Sequence, residues 1–316
     1  MDLSITLKLR IESLPKGTYT QGLNSIIQHI EVASRHLSRG QDTSDETAFT
    51  DSIYRTNQAF EGSLKEAFRV LAGQDPEKVR PFDIEKYFQE ERVLRPRVLS
   101  QFTNYRKEWR NPSAHDYRLD FDEDEALLAI VNVSAFAIVL VDQITERIAF
   151  EQAKEIAISQ IISIGKYDSF MDRIIDLLEQ FTIQFNQTHK DFSKVREVEI
   201  IGALSGFLSS TALDVESYLD MKLSPEKSAR VDLLLISGKE KIILEVKLLR
   251  GSKYLGSRLT QSCIQQASIY MSISDITKAI VYVYGSPNIG KLICSEHTPL
   301  GSDGQIMIIS TETSAV

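Results

Sequence analysis

A chain of 316 residues with 42% hydrophobic and 25% charged side chains has the length for two domains and the composition to bury a core in each. Its formal net charge of -8 and pI near 5.3 exclude wholesale coating of nucleic acid, because affinity for polyphosphate grows with clustered Lys and Arg; any such contact must be local. Two cysteines, Cys263 and Cys294, without CxxC or His-rich spacing exclude a disulfide framework and a zinc site, and they fit a reducing cytoplasm.

The opening residues 1–17 alternate polar and apolar positions and lack the unbroken apolar stretch of a signal peptide, so the alternation predicts a strand. From about Gly22 to Phe150 apolar residues recur at helical spacing, and helices are predicted over 23–37, 50–71, 83–93 and 96–110. A further helix starts behind the acidic run Asp120, Asp122, Glu123, Asp124 and Glu125, which suits the positive end of a helix dipole, and continues through Ile148. Its most apolar part, 126–141, is shorter than the roughly 18 to 20 residues of a membrane span, so no membrane partner is expected. The helical pattern resumes over 156–164, stops at Gly165 and returns over 167–187. A helical bundle of residues 1–160 is therefore expected ahead of a second domain of residues 161–316.

Beyond Lys190 strands alternate with helices. A helix over 193–209 precedes strands at 214–221, 231–236 and 241–249, then a helix over 257–271 and a strand over 278–284, which is an α/β sandwich pattern. The chain is expected to fray after Ile309.

Residues 229–249 consist of two apolar runs joined by a Gly-containing polar tip. With Gly238 and Lys239 as the central residues of a type II′ turn, Ser237 faces Glu240 and Ile236 faces Lys241. Counting back along the pleat sets Asp232 opposite Glu245, with Lys247 on the same face as Glu245. Directly opposed residues have Cβ atoms about 4.5–5.5 Å apart, so two carboxylates there repel and lose hydration unless something compensates. A divalent cation does so: Mg²⁺ takes one or two carboxylates and keeps its other positions for water and phosphate oxygens. Lys247 is then placed to orient a water or to neutralise charge developing on a phosphate.

Asp232 followed by Glu245-Val246-Lys247 resembles the PD-(D/E)xK nuclease superfamily over roughly residues 193–310, with Val231 standing where the proline of the family's name would be. The resemblance implies a restriction-endonuclease-like α/β sandwich that hydrolyses phosphodiester bonds with Mg²⁺ or Mn²⁺ held at Asp232, Glu245 and Val246. It also implies an acidic residue on the preceding helix, here Glu197, which shares a stripe with Ile201, Leu204 and Leu208, with Glu199 as runner-up. Gln266 and Tyr270 match the QxxxY element of a subset of the superfamily and, one turn apart, share a helix face. Gln266 would bond the attacking water or the ligating carboxylate, and Tyr270 the phosphate backbone. Arg250, Lys253 and Arg258, interleaved with Gly251 and Gly256, form a basic loop suited to phosphates.

A second constellation is Tyr105-Arg-Lys-Glu-Trp-Arg-Asn-Pro-Ser-Ala-His115, where Pro112 is expected to end a helix and leave Arg110, Asn111 and His115 at an exposed junction. A histidine near neutrality can take a 2′-hydroxyl proton from RNA while an arginine neutralises the phosphate. The arrangement resembles the Rx4–6H motif of HEPN domains, with residues 60–68 on an earlier helix also in keeping. That resemblance implies an all-helical module that dimerises and, in many members, cleaves RNA without metal. The expectation as a whole is a cytoplasmic homodimer whose C-terminal half is an endonuclease, acting on DNA ahead of RNA, with defence against foreign nucleic acid suggested by analogy alone. The rivals are a metal-independent ribonuclease at Arg110 and His115, and a nucleic-acid-binding sensor on an inactive nuclease fold.

Overall fold

The computed structural model describes residues 2–94, 96–116, 118–159, 167–189, 191–225, 229–250, 256–285, 292–299 and 303–311. The chain is a helical N-terminal part followed by a mixed six-stranded sheet with helices. It divides into two compact units, Met1–Arg147 and Ile148–Val316, so the boundary falls 13 residues ahead of residue 161 and inside a helix.

In the first unit the opening segment is a helix, α1 (Leu3–Glu12), and not the expected strand. Its apolar residues alternate, but Leu7 and Ile11 also lie one helical turn apart and are buried, while Ile5 and Leu9 stay exposed. Asp2 tips the balance by accepting the Ile5 N–H at the N-cap, which satisfies a donor that a strand would leave to a partner. α2 (Thr20–Thr43), α3 (Thr47–Leu71) and α4 (Pro81–Glu90) follow. Phe60 of α3 packs against Phe102 and Tyr105 of the segment around α5 (Pro96–Tyr105), and Phe102 stacks on Phe136 with centroids 4.4 Å apart. Each such ring contributes on the order of 2 kcal/mol by its burial.

Pro112 does not end a helix. The backbone widens into a π turn over Arg106–Arg110, in which the Asn111 N–H reaches back to the Arg106 carbonyl, and continues as α6 (Asn111–His115). The proline sits in the first turn of α6, where its missing N–H costs little, and the wider turn makes room for its ring. α7 (Glu123–Ser159) is one helix of 37 residues. Among the described residues it is the one helix long and apolar enough to cross a membrane, yet half of that stretch is buried inside the protein, as in a core helix.

In the second unit α8 (Phe170–Thr188) and α9 (Glu197–Thr211) precede β1 (Glu216–Lys222), β2 (Arg230–Ser237) and β3 (Glu240–Leu248). α10 (Ser257–Ser274), β4 (Lys278–Tyr284), β5 (Ile293–His297) and β6 (Gln305–Ser310) complete it. The sheet runs β1-β2-β3-β4-β6-β5, with β3, β4 and β6 parallel and the other pairs antiparallel. β5 and β6 lie beyond the expected strands, and the chain does not fray at Ser310 or Thr311: both are buried, and Thr311 N–H donates to the Val283 carbonyl. Residues 160–166, where the helical pattern was to stop, and 312–316 of the tail lie outside the described residues.

Gly238 takes φ +59 and Lys239 does not follow it into the left-handed region, as a II′ turn requires, and the ladder runs Ser237↔Glu240 and Ile236↔Lys241 to Leu233↔Leu244. Alternation sends Leu233, Leu244 and Val246 into a core with α8, α9 and the end of α7, and Leu234 and Ile243 into a second core with Cys263, Ala267 and Met271 of α10. Helices therefore cover both faces. At Gly206 a Cβ would come within 2.1 Å of the Phe150 carbonyl oxygen, so glycine allows α9 to lie directly against α7.

Candidate active site

One step beyond the last paired residues, Leu233 and Leu244, Asp232 and Glu245 stand across from each other, and there the ladder changes character. The Asp232 N–H donates to Glu245 Oε1 (3.2 Å), and the Val246 N–H donates to Asp232 Oδ2 (2.8 Å). Each carboxylate thus reaches across to the opposite backbone. Glu245 Oε2 accepts from Lys247 Nζ (3.1 Å) and from Gln266 Nε2 (3.1 Å), and Gln266 Nε2 also lies 2.9 Å from the Tyr270 hydroxyl. Glu197, at the first turn of α9, accepts the Leu248 N–H at 3.1 Å. Asp232, Glu245, Val246, Lys247, Gln266, Tyr270 and Glu197 are therefore gathered at one end of β3. Glu199 turns the other way, toward His189 at 3.1 Å.

The electrostatics follow from burial. Glu245 is 3% exposed; loss of hydration and the neighbouring Asp232 push its carboxyl up to about 7, against the pull of Lys247. Asp232 is raised as well, by burial first, then by Glu197 and Asp220, opposed by the Val246 N–H and Lys247. Burial pulls Lys247 down, but Glu245, Asp232 and Glu197 outweigh it and hold the ammonium above the ordinary lysine range. The negative charge here exceeds what Lys247 balances, which is the condition under which a cation is attracted.

The donors are hard oxygens on short side chains, which suit Mg²⁺ or Mn²⁺ and not a soft metal. Among the described residues no group of three or more His, Cys, Asp or Glu is placed to hold a metal ion. Residues and ion fit if Asp232, Glu245 and the backbone of Val246 hold it, with the remaining positions left to water and phosphate, as Mg²⁺ tolerates.

Of the basic residues, Arg258 is exposed in the first turn of α10, and Arg250 is exposed while its Nη2 donates to the Val195 carbonyl at 2.8 Å, tying it to the start of α9. Lys253 lies outside the described residues. Sequence reasoning missed Asp220. Between the pairs Leu219↔Leu233 and Met221↔Val231 it falls opposite Asp232, it takes φ +46, and it pairs with Arg230 at 2.9 Å. At seven residues the 223–229 link is too long for a two-residue turn to fix a register by count, so only the pairing of β1 with β2 places it. Cys263 was set aside for want of a metal partner, yet its thiol is raised by burial and senses Lys247 and Glu245, which places it beside the site.

In the helical unit Arg110 is half-buried and engaged: Nε donates to Glu61 Oε1 at 2.7 Å and Nη1 to Asn111 Oδ1 at 3.2 Å. It lines a cleft of about 780 Å³ with His29, His36, Tyr54, Arg55 and Glu61. His115 is exposed at the end of α6 and is not among the residues lining that cleft. Below this surface the Tyr105 hydroxyl meets Thr56 Oγ1 (2.8 Å) and Asn57 Nδ2 donates to Ser113 Oγ (2.7 Å), a buried network that fixes α6 on α3. Trp109 lies half-buried against Tyr105, with centroids 5.4 Å apart.

Compared with protein-family models, curated proteins and solved structures, the chain matches none.

Proposed function

We propose that the second unit is a metal-dependent nuclease of the PD-(D/E)xK kind, hydrolysing phosphodiester bonds, in DNA ahead of RNA, at the end of β3. The observation that carries this reading is the pairing of half-buried Asp232 with buried Glu245, both raised above their ordinary values, with Lys247 Nζ 3.1 Å from Glu245 Oε2. Asp232, Glu245 and the Val246 carbonyl would hold Mg²⁺ or Mn²⁺. When bound, such an ion polarises the scissile phosphate and lowers the pKa of a water beside it.

The chain's own groups do the rest. Glu245 is oriented by three donors, so its free lone pairs have a fixed direction. Gln266 is held between Glu245 and Tyr270, which keeps its amide aimed at the carboxylate and leaves Tyr270 to meet the nucleic-acid backbone. Lys247 keeps its proton, so it serves as a donor to an anionic phosphate or a water and not as a base. Arg258 and Arg250 add local positive charge in a chain whose net charge is -8.

We assign the helical unit to dimerisation, which would give the assembly two cutting sites. Purified protein with Mn²⁺ should nick or cut plasmid DNA and lose this in EDTA. If neither DNA nor RNA is cut with Mg²⁺ or Mn²⁺, or if Asp232→Ala cuts as well as the unaltered protein, the reading fails. A metal-independent ribonuclease is the second reading: Arg110 lines a cleft, and His115 stands exposed at the end of α6, outside its lining. It expects RNA cleavage in EDTA that disappears in His115→Ala.

A further inference from the structure

We infer that His189 and Glu199 are positioning residues for the nuclease site: they lock the first turn of α9 so that Glu197 meets β3. This rests on the nuclease reading for its meaning, but its geometry stands independently.

The His189 ring lies flat on Phe185, 3.9 Å between centroids at 11°, so it has little freedom to turn. Its Nε2 is 3.1 Å from Glu199 Oε1, and its Nδ1 lies 2.8 Å from Thr188 Oγ1 and 3.1 Å from the Phe185 carbonyl. Both nitrogens are thus engaged by the end of α8 and by Glu199. The second oxygen of Glu199 accepts the Arg196 N–H, the backbone donor at the N-cap of α9, at 3.3 Å. That bond is long for a cap, and one anchored oxygen is what keeps the other on it. Glu197 is the first residue of the same turn, and its carboxylate accepts the Leu248 N–H at 3.1 Å, one residue beyond Lys247.

The chain of contacts therefore runs from α8 through His189, Glu199 and the N-cap to Glu197 and β3. Releasing Glu199 takes away the carboxylate that accepts the Arg196 N–H, and Glu197, the next residue, loses its fixed approach to the sheet. The alternation of duties between two acids two residues apart, one facing β3 and one facing α8, is what the first turn of a helix permits, since residues two apart point to different sides.

The test uses the full chain, labelled with ¹⁵N-leucine and ¹⁵N-valine, and follows amide exchange at Leu248 and Val246 by NMR. His189→Ala should speed exchange at Leu248 by about tenfold, as loss of one hydrogen bond implies, and leave Val246, held by Asp232, unchanged. His189→Gln, which can still donate to Glu199, should restore Leu248. Where the unaltered protein cuts nucleic acid, His189→Ala should lower kcat by about tenfold with KM unchanged, as expected of a group that acts through a catalytic carboxylate. Unchanged exchange at Leu248 overturns the proposal, as does equal loosening of Leu248 and Val246, which would mean general loss of structure. Wild-type cutting despite a loosened Leu248 overturns it too. Absence of cutting by the unaltered protein sinks the nuclease reading and leaves the exchange result to decide the positional claim.

Discussion

The two polar constellations of this protein treat charge in opposite ways. At the end of β3, Asp232 and Glu245 are drawn out of water and pushed toward protonation, and Lys247 only partly offsets them. On the helical unit, Arg110 sits half-exposed with Glu61 as its counter-charge, and His115 is exposed to solvent. The first arrangement is unfavourable to the fold by itself and becomes favourable with a cation. The second is already compensated and asks for nothing further. Unbalanced buried charge is what the nuclease assignment rests on, and its absence at Arg110 is why that site takes second place.

The sharpest way to test the contrast is activity. Lys247→Ala should reduce metal-dependent cutting by about 100- to 1000-fold, the usual cost of losing one preorganised charge stabiliser, measured by plasmid relaxation under single-turnover conditions. His115→Ala should leave that cutting unchanged, and a loss there would break the comparison.

Stability against pH comes next. Glu245 has a folded-state value of about 7, raised above its ordinary 4.5, so it binds its proton more tightly in the folded chain. Its favourable contribution is complete below the ordinary value and is lost as pH rises through about 7. In metal-free buffer, unfolding free energy from urea titrations should therefore fall between about pH 4.5 and 7, by on the order of 3 kcal/mol from this group. Glu245→Gln should flatten that slope; an unchanged slope would mean that the carboxylate is compensated in another way.

Mn²⁺ should act in the opposite sense. At neutral pH, free ion at about 100 times its dissociation constant should stabilise the folded protein by about 2.7 kcal/mol, seen as a rise in Tm, and Asp232→Ala should abolish the rise. An equal rise in both proteins would place the ion elsewhere. The smallest effects belong to the helical site. Arg110→Ala should cost no more than about 1 kcal/mol, because its ion pair with Glu61 is open to solvent, and His115→Ala should stay within about 0.5 kcal/mol. A larger loss at Arg110 would show that the cleft depends on it structurally.

The parts of the molecule that could be read in advance share one property: their geometry is set by neighbours in the chain. Gly238 selects a turn, the turn selects a register, and the register carries Asp232 to Glu245 and Lys247 to the same face. Gln266 and Tyr270 needed only one helical turn to meet. The misread parts depend on groups far away. Leu7 and Ile11 fit a strand or a helix, and the choice went to the face that could be buried together with the Asp2 cap. Pro112 looked like a stop because a widened turn ahead of it has no marker in the sequence. β5 is short and largely exposed, and β6 is placed by pairing with β5 and with β4, whose residues lie more than twenty positions earlier.

From its order of residues alone this chain determined the hairpin, the opposition of two acids across it and the helical face that carries Gln266, because turn chemistry and side-chain periodicity act over a few residues. Tertiary structure alone decided that Glu245 would be buried and Asp232 half-buried, that Glu197 rather than Glu199 would reach β3, and that Arg110 would find Glu61. Those outcomes depend on what packs against a group, and water leaves a carboxylate only when distant helices and strands close over it.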